Sequence, residues 1–173
     1  DFTGSGGFTH KFFRVAHSRD DLLGQREAIA HWSRMTYGWM GRTPDYKASL
    51  MNTLEVNAEW YGPFADNARA WYRRAQDSVL FMNHAIVNPP VDRSLPGSQI
   101  KDVFISIYRE TDAGIVVKGA RMVSTLCAYS DDILVMPSTF LATNAEAAPY
   151  AFGFAIPVAT PGLRFICRPS VVH

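Results

Sequence analysis

The sequence changes its hydrophobic period once. Upstream of Asn88-Pro89-Pro90 apolar residues recur at helical spacing; downstream of Leu95-Pro96-Gly97-Ser98 they come in short β-branched and aromatic runs. Helices in one block and strands in the next point to an α+β fold rather than a wound parallel sheet. We therefore expect an α-helical domain over residues 1–95, followed by an antiparallel β-barrel or sheet domain over 96–173. A chain of 173 residues can bury a sizeable core, as one domain or two small ones.

Within the helical block, Ser18 precedes Asp20 and Asp21, and Leu22, Leu23, Ile29, Trp32 and Met35 follow near the spacing of one face. Ser18 is placed to cap the orphan amides, and the aspartates suit the positive helix end. Gly38 and Gly41 interrupt. Thr43-Pro44 opens the next helix with a capping hydroxyl and a proline at its first position. Leu50, Leu54 and Val56 carry it towards Trp60, and Gly62-Pro63 breaks it. From Phe64 a strong helix reads through Ala68, Trp71, Tyr72, Ala75, Val79, Leu80 and Met82, with Arg69, Arg73, Arg74 and Asp77 on its wet side. It must end before Asn88-Pro89-Pro90, which puts His84 near a helix C-terminus. The later strand candidates are Val103 to Tyr108, Ile115 to Val117, Ala120 to Thr125, Ile133 to Met136, Tyr150 to Pro157 and Leu163 to Cys167. Thr111-Asp112-Ala113-Gly114 reads as a turn, Gly119 as a bulge or tight turn, and Asn144 to Pro149 as a loop.

Charge narrows the partners. A formal net charge of +1 gives no reason to expect nucleic acid or an anionic membrane. There is no apolar run long enough to span a bilayer, and Asp1 to Gly7 lacks the charged-then-apolar order of a signal peptide, so a cytoplasmic protein is expected. Cys127 and Cys167 lack the spacing of a zinc site and read as two buried free thiols, with no metal. Aromatic residues make up 13%, read mainly as core and partly as walls for a flat aromatic ligand.

Three widely spaced polar residues carry the chemistry: Arg42 and Tyr46 in Gly41-Arg42-Thr43-Pro44-Asp45-Tyr46, and His84 in Asn83-His84-Ala85-Ile86-Val87-Asn88-Pro89-Pro90. They supply a fixed positive charge, a weakly acidic donor, and an imidazole that can donate or accept. Such a trio suits a phenol whose oxygen must lose its proton. Taken singly, the arginine reads as a surface residue, the tyrosine as packing and the histidine as a partner for helix-end carbonyls.

Together with Val91-Asp92-Arg93, Asn67-Ala68-Arg69-Ala70-Trp71-Tyr72, Glu110-Thr111-Asp112-Ala113-Gly114-Ile115 and Gly119-Ala120-Arg121-Met122-Val123-Ser124-Thr125, in this order, these segments make the chain resemble the oxygenase components of flavin-dependent, two-component phenol hydroxylases, the 4-hydroxyphenylacetate 3-monooxygenase family. The resemblance implies an acyl-CoA-dehydrogenase-like fold and insertion of one oxygen atom from O2 ortho to a phenol hydroxyl, through a flavin C4a-hydroperoxide. It implies reduced FAD supplied by a separate NADH-dependent reductase, and a homotetramer in the full-length parent. The implied catalytic and substrate residues are Arg42, Tyr46 and His84, with Ser138 and Thr139 beside the substrate; individual roles within the trio stay open. The implied flavin contacts are Asn88, Pro90, Asp92, Arg93 and Thr125. The family's C-terminal helical domain has no counterpart in the sequence, so the chain reads as an internal fragment, roughly the middle third of such an enzyme. The dehydratases of related fold need cysteine ligands for an iron–sulfur cluster, and Cys127 and Cys167 are too few and lie elsewhere. A non-catalytic flavin- or phenol-binding module, or an assembly module, is the competing reading.

Overall fold

The computed structural model describes residues 7–40, 43–91, 94, 102–123, 126–137 and 145–167. Arg42, Asp92, Arg93, Thr125, Ser138 and Thr139 lie outside them, as does the expected domain boundary at 95/96. The chain divides into two compact units, Asp1–Met82 and Asn83–His173.

The first unit is helical. Helix α1 spans Arg19–Met35 and begins as the sequence indicates: the Asp21 amide donates to Ser18 Oγ at 3.1 Å, and Asp21 Oδ2 in turn accepts from the Ser18 hydroxyl and the His17 amide. Its apolar spacing does not translate into burial: no α1 residue is buried, Ala28 and Trp32 pack on the core, and Leu22, Ile29 and Met35 are exposed. Helix α2 spans Asp45–Val56. Pro44 already has helical angles before it, and the Thr43 hydroxyl donates to the Asp45 carboxylate instead of capping an amide. A tight 3-10 stretch, Ala58–Phe64, follows and kinks at Gly62, whose φ of 52° suits glycine. Helix α3 spans Ala65–Asp77.

The core of this unit forms around a short N-terminal turn. Phe12 and Phe13 are fully buried among Ala48, Met51, Tyr72, Ala75 and Leu80. Polar side chains lock the turn's backbone: Asn52 Nδ2 donates to the carbonyls of Phe12 and Arg14, while the Tyr72 hydroxyl and Gln76 Nε2 both donate to the carbonyl of Phe13. Those bonds satisfy backbone groups that burial would otherwise leave unpaired.

Helix α3 ends five residues earlier than expected. The Leu80 amide bonds the Ala75 carbonyl and the Val79 amide bonds that of Gln76, with Val79 left-handed at φ 48°. This is a Schellman closure with valine where glycine is usual, so no sequence signal announces it. The released chain becomes strand β1, Met82–Ala85. His84 therefore sits on a strand, not near a helix end.

The second unit holds two small sheets, confirming the α+β class. Strands β2 (Ser106–Thr111) and β3 (Gly114–Lys118) form an antiparallel hairpin whose ends, Thr111 and Gly114, face each other across the expected turn. Strands β4 (Asp132–Val135) and β5 (Phe154–Pro157) pair antiparallel and complete a three-stranded sheet in the order β1-β4-β5. Among the described residues the sheets stay open, with no closed barrel. The stretch from Ala120 makes only single bridges, Phe104 to Ala120 and Val87 to Met122, and Leu163 to Cys167 forms no strand. Ala85, Ile133 and Val135 are the buried centre of this unit. Cys127 and Cys167 are free; Cys127 is half-buried but Cys167 is exposed, contrary to the reading of two buried thiols.

Candidate functional site

In the first unit, Tyr46 stands in the opening turn of α2, half exposed, with the Lys47 ammonium 4.5 Å from its ring centre. Lys47 itself is buried, so a fixed cation lies against the ring. The turn leading to α2 is aromatic and open: Tyr37 and Trp39 are each close to nine-tenths exposed. Only Phe12, Phe13 and Tyr72 are buried aromatics among the described residues, so core packing accounts for less of the aromatic content than expected.

Two cavities in this unit contain none of the candidate residues. One, of about 320 Å³, is lined by Arg14, Glu55, Tyr72 and Arg73 among others. Burial, with a smaller contribution from the Glu55 charge, pushes the Tyr72 phenol up to about 12, so it serves as a donor to the Phe13 carbonyl. The other includes His10 and His31. His10 Nε2 accepts from Trp32 Nε1 at 2.8 Å, and its ring stacks on Phe12 at 3.7 Å. Burial first, then the nearby His31, lowers its pKa, while Asp45 opposes; the shift favours the neutral ring whose Nε2 can accept this bond.

In the second unit, His84 is half-buried on β1, flanked by buried Asn83 and Ala85. Asn83 Oδ1 accepts from the His84 amide at 2.8 Å. β1 is tied to the end of β4 through a bond from the Met136 amide to the Ala85 carbonyl at 3.1 Å. On a strand, the His84 side chain points to the opposite face from those of its neighbours Asn83 and Ala85.

Over the three residues after the strand, the chain towards Pro89-Pro90 is clamped. The Met122 amide donates to the Val87 carbonyl at 2.9 Å, and Arg121 Nη1 donates to the Ile86 carbonyl at 3.3 Å and to Asn88 Oδ1. Arg121 is half-buried, and desolvation pulls its pKa down. Its Nε is buried without a hydrogen-bond partner among the described residues. Sequence reasoning singled out Asn88 and Pro90 but passed over Arg121. The available signal was a lone cation in Gly119-Ala120-Arg121-Met122-Val123, a stretch otherwise suited to a strand.

Gly119 makes that clamp possible. Its φ is 118°, and a Cβ there would lie 2.3 Å from the Phe104 carbonyl oxygen, a closeness only glycine allows. The bond from the Ala120 amide to the Val103 carbonyl, 2.8 Å, fixes the crossing immediately before Arg121.

These features define an α+β chain with a cation-backed tyrosine at a helix start in one unit and a strand-borne histidine beside an arginine-clamped asparagine in the other. The sequence profile described as 4-hydroxyphenylacetate 3-hydroxylase N terminal matches residues 2–173, and the chain belongs to that family. It is 54% identical over 170 residues to the 4-hydroxyphenylacetate 3-monooxygenase oxygenase component of Pseudomonas aeruginosa, covering 97% of this chain and 32% of that protein. It is 47% identical to the oxygenase component of a 4-nitrophenol 2-monooxygenase of Rhodococcus sp, again covering 97% of this chain and 32% of the relative. A crystal structure of the oxygenase component of 4-hydroxyphenylacetate 3-monooxygenase complexed with FAD and 4-hydroxyphenylacetate superposes with a TM-score of 0.79 at 36% identity, over 94% of this chain and 34% of the other. The chain thus spans about a third of the length of the curated relatives it matches. Among the described residues no helix is long and apolar enough to cross a membrane.

Proposed function

We propose that this chain is part of an oxygenase component that hydroxylates a phenol ortho to its hydroxyl group. The observation that carries the proposal is the family match across residues 2–173, with Tyr46 and His84 at the motif positions. The substrate class is a 4-hydroxyphenylacetate-like phenol, converted to a catechol with O2 as co-substrate. A separate NADH-dependent reductase supplies FAD in its reduced form, and the full-length protein works as a homotetramer of acyl-CoA-dehydrogenase-like fold in the cytoplasm. The helical part and the β part divide the labour, the first carrying Arg42 and Tyr46 and the second His84 on β1.

A phenol near its unperturbed pKa of about 10 is mostly protonated at neutral pH, and its ring is then a poor nucleophile. The Arg42 charge favours the phenolate in a site shielded from water. His84, held on β1, takes or shares the phenol proton, and Tyr46 orients the phenol oxygen. Ser138 and Thr139 contact the substrate. Bound reduced FAD supplies the electrons that activate O2. Asn88, Pro90, Asp92, Arg93 and Thr125 hold it. The Asn88 segment fits such a group, because Arg121 brings it a buried N–H to spare and flavin ring edges and phosphates are mostly acceptors.

The test supplies the protein with FAD, NADH, a flavin reductase, catalase and 4-hydroxyphenylacetate, and looks for the catechol by chromatography. Wild type forms catechol above a reductase-only control, and His84→Ala lowers coupled hydroxylation at least a hundredfold, in the range of general acid–base losses of about 10²–10⁴. Equal yields from wild type and His84→Ala would remove His84 from the mechanism. Flavin binding without catechol from any phenol offered would favour a non-catalytic module.

A further inference from the structure

Arg121 lies within a segment that carries the family resemblance, yet the resemblance gives it no role. Its guanidinium carries only donors, so the atom of the Asn88 side chain facing it must be the carboxamide oxygen. The carboxamide is thereby oriented: with Oδ1 turned to Arg121, the Nδ2 group and its two donors are fixed on the other arm of the planar amide. An asparagine without that clamp could present either end. The clamp is doubled on the backbone, since the same Nη1 also reaches the Ile86 carbonyl and the neighbouring Val87–Met122 bridge fixes the residue between. No salt bridge neutralises Arg121 among the described residues, so its charge is felt along the segment.

We propose that Arg121 is a positioning residue for reduced FAD: by pinning Asn88 Oδ1 it presents the Asn88 amide donors to an acceptor edge of the flavin, and its charge favours the reduced, anionic form over the oxidised one. This rests on the reading of Asn88 as a flavin contact and adds to it a direction of hydrogen bonding and a redox preference.

The test is anaerobic titration of the protein with reduced FAD, and aerobic titration with oxidised FAD, each followed by flavin absorbance and fluorescence. Arg121→Met is expected to weaken reduced FAD about tenfold and oxidised FAD by clearly less; Arg121→Lys, keeping the charge, recovers most of the preference. Asn88→Asp gives Arg121 an acceptor but offers the flavin no N–H, and is expected to bind reduced FAD as poorly as Asn88→Ala does. Equal weakening of both flavin forms by Arg121→Met, with a lowered melting temperature, would make Arg121 merely structural and overturn the proposal. Asn88→Asp binding like wild type would overturn it independently of how the arginine variants fold. Unaltered binding by Arg121→Met with Asn88→Ala weakened sinks the proposal alone, unaltered binding by Asn88→Ala removes Asn88 from the flavin contacts, and failure of wild type to bind either form sinks the flavin reading and this proposal with it.

Discussion

The two units solve the problem of a small core differently. The first buries two phenylalanines completely and fastens their backbone with side chains from α2 and α3. The second has a minimal apolar centre, Ala85, Ile133 and Val135, and depends on close backbone crossings and one clamped cation. Bulk supports one; backbone geometry supports the other. Positions assigned to chemistry follow the same division. Tyr46 stands half exposed at a helix start with Lys47 against its ring, while His84 and Asn88 sit where strand pairing and Arg121 fix the backbone.

The contrast breaks most easily at Phe13. Phe13→Ala leaves a cavity in a fully buried site and is expected to cost about 3–5 kcal/mol. All four tryptophans, Trp32, Trp39, Trp60 and Trp71, lie in the first unit, so tryptophan fluorescence during urea denaturation follows that unit alone. The fluorescence midpoint should fall well ahead of the loss of strand signal in circular dichroism. Coincident transitions after the mutation would show that the units unfold as one cooperative block, and the contrast would then be one of packing style only.

Gly119→Ala probes the other side. The added methyl would meet the Phe104 carbonyl, and alanine tolerates the positive φ poorly, so a loss of about 2–3 kcal/mol is expected. Here the order of events reverses: strand signal is lost first and tryptophan fluorescence moves little. Hydrogen exchange offers a finer readout, with the Ala120 and Met122 amides, bonded to Val103 and Val87, losing protection. Unchanged protection at both would mean that the crossing tolerates a side chain and that glycine is not what holds the clamp.

Some of this was legible in the sequence. Ser18 and Asp21 announce the start of α1 because capping is local chemistry, readable from four residues. The Thr111–Gly114 turn is equally local. The helix start at Pro44 and the motif positions of Tyr46, His84 and Asn88 were also within reach. What escaped depends on partners distant in the chain. Leu163 to Cys167 has strand composition but no strand to pair with among the described residues, and α1 has apolar spacing but little core to cover. Arg121 has no role in the sequence reading; its meaning comes from Asn88, thirty-three positions earlier. His84 was assigned to the wrong element for one reason, the unannounced end of α3.

That end gives the smallest and most specific effect. Val79 occupies the left-handed position of the Schellman closure at φ 48°, and Tyr37 does the same at the end of α1 at φ 52°. A β-branched residue there pays a steric penalty of about 1–2 kcal/mol that glycine avoids. Glycine in turn gives up roughly 0.4–1 kcal/mol through the greater freedom of the unfolded chain. The balance predicts that Val79→Gly stabilises the first unit by up to about 1 kcal/mol, read as a higher urea midpoint in tryptophan fluorescence. Val79→Ala, which keeps a Cβ, should gain little. If glycine lowers the midpoint instead, the partly exposed valine side chain contributes more by packing than it loses in strain, and this helix end is held from outside rather than by its own backbone.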